Sequence, residues 1–291
     1  MKETILVTGA TGTVGREVVK SLLQKDVKIR VGIRDTNKIK KFFWSDRVES
    51  VLLDYARPQT LANALVNVDR LFLITPQGSD LEQAVAKMVI EQGGKQGLRH
   101  ITRLSSMGAT QTGFFRNHYE ADQLLLAANI PYTALQANTF MQNFYNFVTS
   151  ISKRQKIVEP AGEGKTSFID VRDIADVAAT VLTQANHVDK CYELTGAESL
   201  DYYQVAAIFS KVLRRKVVYQ ALADQAYIAT KETDGISADV AKRSMQFFQG
   251  VKNGEYARVS PVVEKILART PISLEKFIVD YRNRFDFESK S

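Results

Sequence analysis

One cysteine, Cys191, stands among the 291 residues. No intrachain disulfide can form, and a zinc cluster built on cysteines is excluded. Histidine is nearly as scarce. Of the three, His100 and His187 have no neighbours with metal-ligand spacing and are expected to be structural. Long apolar runs are also missing: none approaches the ~20 residues of a membrane-spanning helix. The first run, Ile5–Val7, ends at Gly9 and gives no secretory signal. Low-complexity segments and internal repeats are absent. A cytoplasmic protein without a membrane partner is the expectation.

The composition, 45% hydrophobic and 24% charged, is that of a globular chain able to bury a sizeable core. The net charge is +7. Its basic residues gather at Lys38/Lys40/Lys41, Lys153/Arg154/Lys156 and Lys211/Arg214/Arg215/Lys216. No zinc-finger spacing or RNA-binding aromatic motif accompanies them, so solvated surfaces rather than nucleic acid account for the last two clusters.

Through the first half, apolar runs alternate with helical patterns. Strands are predicted at Thr4–Thr8, Ile29–Ile33, Val48–Leu53, Leu71–Thr75, Ile101–Ser105 and Tyr132–Leu135. Helices between them place Val14, Val18 and Leu22, then Leu81, Val85, Met88 and Val89, on inward faces. Pro58 suits the first turn of a helix. The alternation predicts an α/β fold: a Rossmann-type, doubly wound parallel sheet over residues 1–138. Residues 139–291 read as a smaller α/β lobe interleaved with that sheet, with strands at Phe168–Val171, Tyr192–Thr195 and Val217–Gln220.

The strongest motif is Ile5-Leu-Val-Thr-Gly9-Ala-Thr-Gly12-Thr-Val-Gly15. A strand runs into glycines spaced G-x-x-G-x-x-G, and a helix follows. Gly9 permits the tight turn, Gly12 lets backbone approach a pyrophosphate, and Gly15 lets helix pack on strand. The helix N-terminus, from Thr13 and Val14 onward, offers N–H groups to phosphate; Thr11 and Thr13 add hydroxyls. The second strand ends at Ile33-Arg34-Asp35. A guanidinium in that place suits a 2′-phosphate, so NADP(H) is the expected cofactor, with NAD the alternative that Asp35 keeps open.

Further segments resemble the NmrA-like branch of the atypical short-chain dehydrogenase/reductases. They are similar in particular to bacterial NAD(P)H-dependent quinone oxidoreductases and triphenylmethane reductase. They are Leu104-Ser-Ser-Met-Gly-Ala109, Ile130-Pro-Tyr-Thr133, Asn138-Thr-Phe-Met-Gln-Asn-Phe144, Phe168-Ile-Asp-Val-Arg-Asp-Ile-Ala-Asp176 and Tyr192-Glu-Leu-Thr-Gly196. The resemblance implies that Asp54 and Tyr55 lie near the adenine and that Thr75 and Pro76 lie along the cofactor. It also implies that the Asn138–Phe144 loop, with Phe140, Met141, Asn143 and Phe144, borders the nicotinamide and the substrate. Where relatives often carry Leu-Arg-Pro, this chain has Leu135-Gln136-Ala137.

Two catalytic candidates emerge. Tyr119 follows Ser106 by 13 residues, as in a Ser-Tyr-Lys mechanism, but Gln123 stands where the activating lysine belongs. A neutral amide cannot lower the tyrosine pKa. His118 occupies the place of a lysine in isoflavone-reductase-like relatives and could donate a proton or orient a carbonyl. Glu120 and Asp122 read as a solvated helix face. Phe140, Phe144 and Phe147 have helical spacing and fit either a stacking surface or a core. The combined expectation is an NADPH-dependent reductase, monomeric or homodimeric, that passes hydride to a flat conjugated small molecule. The alternative is a non-catalytic dinucleotide sensor that regulates a protein partner.

Overall fold

A computed structural model describes residues 2–35, 45–76, 81–233 and 235–286. The Lys38/Lys40/Lys41 cluster lies outside the described residues. The elements of the first half are β1 (Thr4–Val7), α1 (Thr13–Leu23), β2 (Lys28–Ile33), β3 (Val48–Leu52), α2 (Pro58–Ala64), β4 (Arg70–Leu73), α3 (Leu81–Gln96), β5 (His100–Ser106), α4 (Arg116–Leu126) and β6 (Tyr132–Ala137). The second half adds β7 (Lys156–Glu159), α5 (Val171–Thr183), β8 (Lys190–Leu194), α6 (Tyr202–Leu213), β9 (Val218–Ala221), α7 (Asp224–Thr233), α8 (Ala238–Lys252), α9 (Val262–Leu267), α10 (Leu274–Asp280) and α11 (Arg282–Phe285).

The chain divides into two units. The first gathers Met1–Ala137, Val171–Leu194 and Val262–Ala268. It holds a seven-stranded sheet in the order β3-β2-β1-β4-β5-β6-β8, with every pairing parallel. This is the doubly wound α/β arrangement that the alternation predicts. The inner strands β1 and β4 are buried on both faces, which is why they read as unbroken apolar runs. Val14, Val18 and Leu22 form the buried stripe of α1. That helix packs on α5, where the Ser21 hydroxyl donates to Asp176 at 2.7 Å. Pro58 opens α2, where the missing N–H costs nothing.

The second unit gathers Asn138–Asp170, Thr195–Pro261 and Arg269–Ser291. Its parallel pair β7-β9 accompanies α6, which packs on α10 and α11, and the α7–α8 pair. Its core is aromatic: Phe144 lies 5.0 Å from Phe168 and 5.7 Å from Phe209, ring centre to ring centre.

Two local expectations fail. Phe168–Val171 is not a strand: Ile169 makes one isolated bridge to Phe140, and Val171 already opens α5. A short, mostly apolar segment such as Phe-Ile-Asp-Val marks burial without specifying which element is buried. Leu81, expected inward, is 52% exposed at the start of α3.

Candidate functional site

The strand order reverses direction between β1 and β4, and in such sheets ligands bind outside the carboxyl ends at that point. The two strand ends are tied together there. The Thr8 N–H donates to the Phe72 carbonyl at 3.0 Å, and the Thr8 hydroxyl accepts from the Ile74 N–H at 2.8 Å. Gly9 turns the chain with φ +60°, and a Cβ on it would lie 3.1 Å from the Ile74 Cβ. The Gly12 N–H closes the turn on the Gly9 carbonyl at 2.9 Å. Gly15 is the tightest of the three turn glycines, because a Cβ there would sit 2.3 Å from the Gly9 oxygen and 2.8 Å from the Ala10 Cα. Gly12 is the N-cap of α1 and has no side chain to cap it, and the first turn carries no acidic residue. The first N–H groups of that helix have no intrahelical acceptors, so the α1 N-terminus presents donors and positive dipole. Thr11 and Thr13 are exposed beside them, whereas Val14 packs inward.

At the ends of β2 and β3 stands a second charged group. Arg34 is exposed. Asp54 accepts from the Ala56 N–H at 3.1 Å and from Arg57 Nε at 3.0 Å. Those contacts, the Ala56 hydrogen bond first, hold its carboxyl below the usual range, and the Arg34 charge adds to them. Arg57, which the motif reading passed over, is therefore a second guanidinium in this group. The Tyr55 hydroxyl is buried without a well-formed hydrogen bond. Burial pushes its pKa up to about 12, with the Thr8 hydroxyl acting in the opposite direction.

Beyond β4, Thr75 turns its side chain inward and Pro76 is exposed. The Thr75 hydroxyl lies 3.4 Å from an Arg103 terminal nitrogen, which opens the most polar interior of the first unit. Arg103, on β5, is fully buried. Its NH1 donates to Asp122 Oδ1 at 2.5 Å, and its NH2 makes a short contact with Glu82 Oε2. Asp122 also accepts from the Ser105 hydroxyl at 2.5 Å and from the Tyr132 hydroxyl at 2.6 Å. His118 joins from α4: its Nδ1 lies 3.2 Å from Arg103 NH2 and 3.2 Å from Glu82 Oε2. With 18% of its side chain exposed it is far more open than the 4% of Glu82. Burial, and then the Arg103 charge, lower the His118 pKa to about 3, so the imidazole is neutral at neutral pH. Burial raises the Glu82 pKa against the pull of Arg103.

Asp122 is thus not on a solvated face. The helix turns it onto Arg103, Ser105 and Tyr132, and three donors make its burial tolerable. Glu120 pairs with Arg116 at 2.5 Å and with Gln83. Tyr119 is not in this cluster. It lines a shallow depression of about 330 Å³ with Gln83, Lys87, Gln123 and Leu124. Ser106 gives its hydroxyl to the Met107 carbonyl at 3.2 Å, and no hydrogen bond joins it to Tyr119 among the described residues.

In the second unit, Asn138 is a buried clamp. Its amide nitrogen donates to Ser167 Oγ at 2.7 Å and to the Tyr256 carbonyl at 2.9 Å, while its oxygen accepts from the Thr139 N–H at 2.8 Å. Both amide hydrogens are used within the protein. The segment Met141–Phe147 is a 3-10 helix. Met141 and Phe144 point into the core, 2% and 1% exposed, so they offer no open face for stacking and the substrate role expected of them gives way to packing. Phe140 is half-buried and Asn143 is exposed.

Fold and turn together define a Rossmann-type α/β protein. Residues 1–278 match the NmrA-like family, and the chain belongs to that family. Over 223 residues it is 34% identical to an NAD(P)H azoreductase of Xenophilus azovorans, covering 75% of this chain and 77% of that one. The NADPH-dependent quinone oxidoreductase of Escherichia coli, solved in complex with NADPH, superposes with a TM-score of 0.87 at 25% identity, covering 96% of this chain and 99% of that one. Triphenylmethane reductase of Citrobacter sp., complexed with NADP(H), gives 0.84 at 25% identity over 96% and 99% of the two chains. Among the described residues no helix is long and apolar enough to cross a membrane.

Proposed function

We propose that this protein is an NADPH-dependent reductase that delivers hydride to a flat conjugated acceptor, a quinone or a related dye. The observation that carries the reading is the glycine turn at the sheet's switch point, where Gly15 abuts the Gly9 carbonyl and the helix behind it is uncapped. That cradle fits a dinucleotide pyrophosphate, since a side chain at Gly15 would displace the turn. The Thr13–Gly15 backbone and the Thr11 and Thr13 hydroxyls hold the phosphates. Arg34 takes the 2′-phosphate, in a neighbourhood where Asp54 is already engaged by Arg57. Asp54 and Tyr55 border the adenine, and Thr75 and Pro76 follow the cofactor onward. NADPH supplies the hydride when bound. The remaining task of the protein is orientation and exclusion of water. Of the loop residues expected at the substrate, Phe140 and Asn143 keep surface, and Asn138 holds the loop in shape.

The test is NADPH and NADH oxidation by the whole chain against quinones, azo dyes and triarylmethane dyes, with Arg34→Ala alongside. Loss of a charge-assisted contact worth about 1.5–3 kcal/mol raises the KM for NADPH roughly 10- to 150-fold and leaves NADH unchanged. Tight NADPH binding with no acceptor reduced would replace the reductase by the sensor. Absence of dinucleotide binding would end both readings.

A further inference from the structure

The buried cluster under His118 has a chemistry of its own. Arginine is an obligate donor, and each terminal guanidinium nitrogen carries two hydrogens. Arg103 NH2 faces two acceptors at once, Glu82 Oε2 and His118 Nδ1, the latter at 3.2 Å. One hydrogen goes to each, with the Thr75 hydroxyl at a longer 3.4 Å. When Nδ1 accepts from Arg103 rather than donating to Glu82 Oε2, also 3.2 Å away, the proton of the neutral imidazole sits on Nε2. Arg103 is itself fixed: NH1 donates to Asp122, and Asp122 is held by Ser105 and Tyr132. The charged groups facing the His118 imidazole are Glu82 from α3 and Arg103 from β5; Asp122, from its own helix, and Tyr132, from β6, stand behind Arg103. Among the described residues Nε2 meets no hydrogen-bond partner, and its ring is the most exposed part of the cluster; Thr75, at the carboxyl end of β4, approaches the same Arg103 nitrogen.

We propose that Arg103 is a positioning residue that locks His118 as the neutral Nε2–H tautomer, and that His118 serves the reaction as a fixed hydrogen-bond donor rather than as an acid. This inference rests on the reductase reading. Hydride arriving at the acceptor drives an electron pair onto its oxygen or nitrogen. The Nε2–H stabilises that developing charge without giving up its proton, and water protonates the product. For a quinone the balance is one hydride from NADPH and one proton from solvent; a cationic triarylmethane dye takes the hydride alone and becomes neutral.

The first measurement is ¹⁵N NMR of the histidine rings in the whole chain, with and without NADPH, from pH 5 to 8. The expected result is one neutral His118 signal pair, Nδ1 bare and Nε2 protonated, throughout. An imidazolium at pH 6 to 7, or a proton on Nδ1 shared with Glu82, overturns the inference. Arg103→Lys, which keeps the charge but lacks the fork, should yield a mixture of tautomers. If that variant does not fold, Glu82→Gln decides instead, because it leaves the Arg103 donor in place and should leave the tautomer unchanged. The kinetic arm compares His118→Gln with His118→Leu. Glutamine keeps a neutral N–H donor, so its kcat should stay within about tenfold and its pH profile flat. Leucine should lose about 10²- to 10³-fold, the effect of deleting one donor to a developing oxyanion. Equal loss in both variants, with a wild-type profile that falls through a histidine-like pKa, would make His118 an acid. The tautomer needs no substrate to be read, so a failure of every acceptor sinks the reductase reading while the ring signals still judge the Arg103 contact.

Discussion

Gly15→Ala is the sharpest perturbation of the nucleotide half-site, because it adds a single methyl group. That methyl would lie 2.3 Å from the Gly9 oxygen and 2.8 Å from the Ala10 Cα. Both neighbours are backbone, so no flexible side chain can yield. To restore ordinary contact, helix and turn must part by about 1 Å, and overpacking of this kind costs about 1–3 kcal/mol. In a chain of this size each kcal/mol lowers Tm by about 2–4 °C, which gives a fall of roughly 2–12 °C. The displaced amides lose hydrogen bonds to charged oxygens, each worth about 1.5–3 kcal/mol, so the Kd for NADPH should rise tenfold or more. Gly94→Ala is the matched control. Gly94 lies within α3 with nothing within 4 Å of the added atom, so the same chemical change should stabilise by about 0.5–1 kcal/mol. Scanning calorimetry and a fluorescence titration with NADPH read both variants. If Gly15→Ala melts and binds as the wild type does, the turn is not a steric cradle and the argument from Gly15 is wrong.

Two more expectations concern the second unit. Burial pushes the Glu159 pKa to about 7 from the ordinary 4.5, opposed by Lys231. The folded chain then holds a proton that the unfolded chain has released, so this contribution to stability is present below pH 4.5 and fades as pH rises to about 7. Urea unfolding at pH 4.5 and 7.5 should show the wild type losing about 3 kcal/mol relative to Glu159→Gln; parallel curves would mean that Glu159 is ionised throughout. Phe144→Ala removes a ring with 1% exposure from between Phe168 and Phe209 and should cost about 3–5 kcal/mol by denaturant midpoint. A loss below 1 kcal/mol would return Phe144 to the surface-stacking role.

Much of the first unit is legible in its sequence, for definite reasons. Strands covered on both faces leave unbroken apolar runs such as Ile5–Val7, and a helix that must approach a turn closely leaves a glycine at Gly15. Arg103 left no such trace. One arginine in a strand looks like an outward residue, and its partners Glu82 and Asp122 lie 21 and 19 residues away, on two different helices. Local periodicity carries no information about a pairing that only the folded sheet creates. Asp122 reads as a solvated residue for the same reason, because its three donors come from β5 and β6. In the Asn138–Phe144 loop, aromatic spacing could not separate a binding face from a core; packing against Phe168 and Phe209, both distant in sequence, decided the matter for Phe144.

The first unit is not a continuous stretch of chain, and this has a consequence for its birth on the ribosome. After Ala137 six strands have been made, but α5, β8 and α9 arrive only with Val171–Leu194 and Val262–Ala268. At ~5–20 residues per second, the gap before the last piece emerges is on the order of ten seconds. Until Leu194 is made β6 has an open edge, and until Thr183 is made the sheet lacks the helix that packs against β4, β5 and β6; only α9 waits for the last piece. A nascent chain stalled there would display an unpaired strand edge and bare apolar sheet to its neighbours. Early capture by a chaperone, or a pause in translation placed between residues 137 and 171, would act on this protein at its most exposed moment.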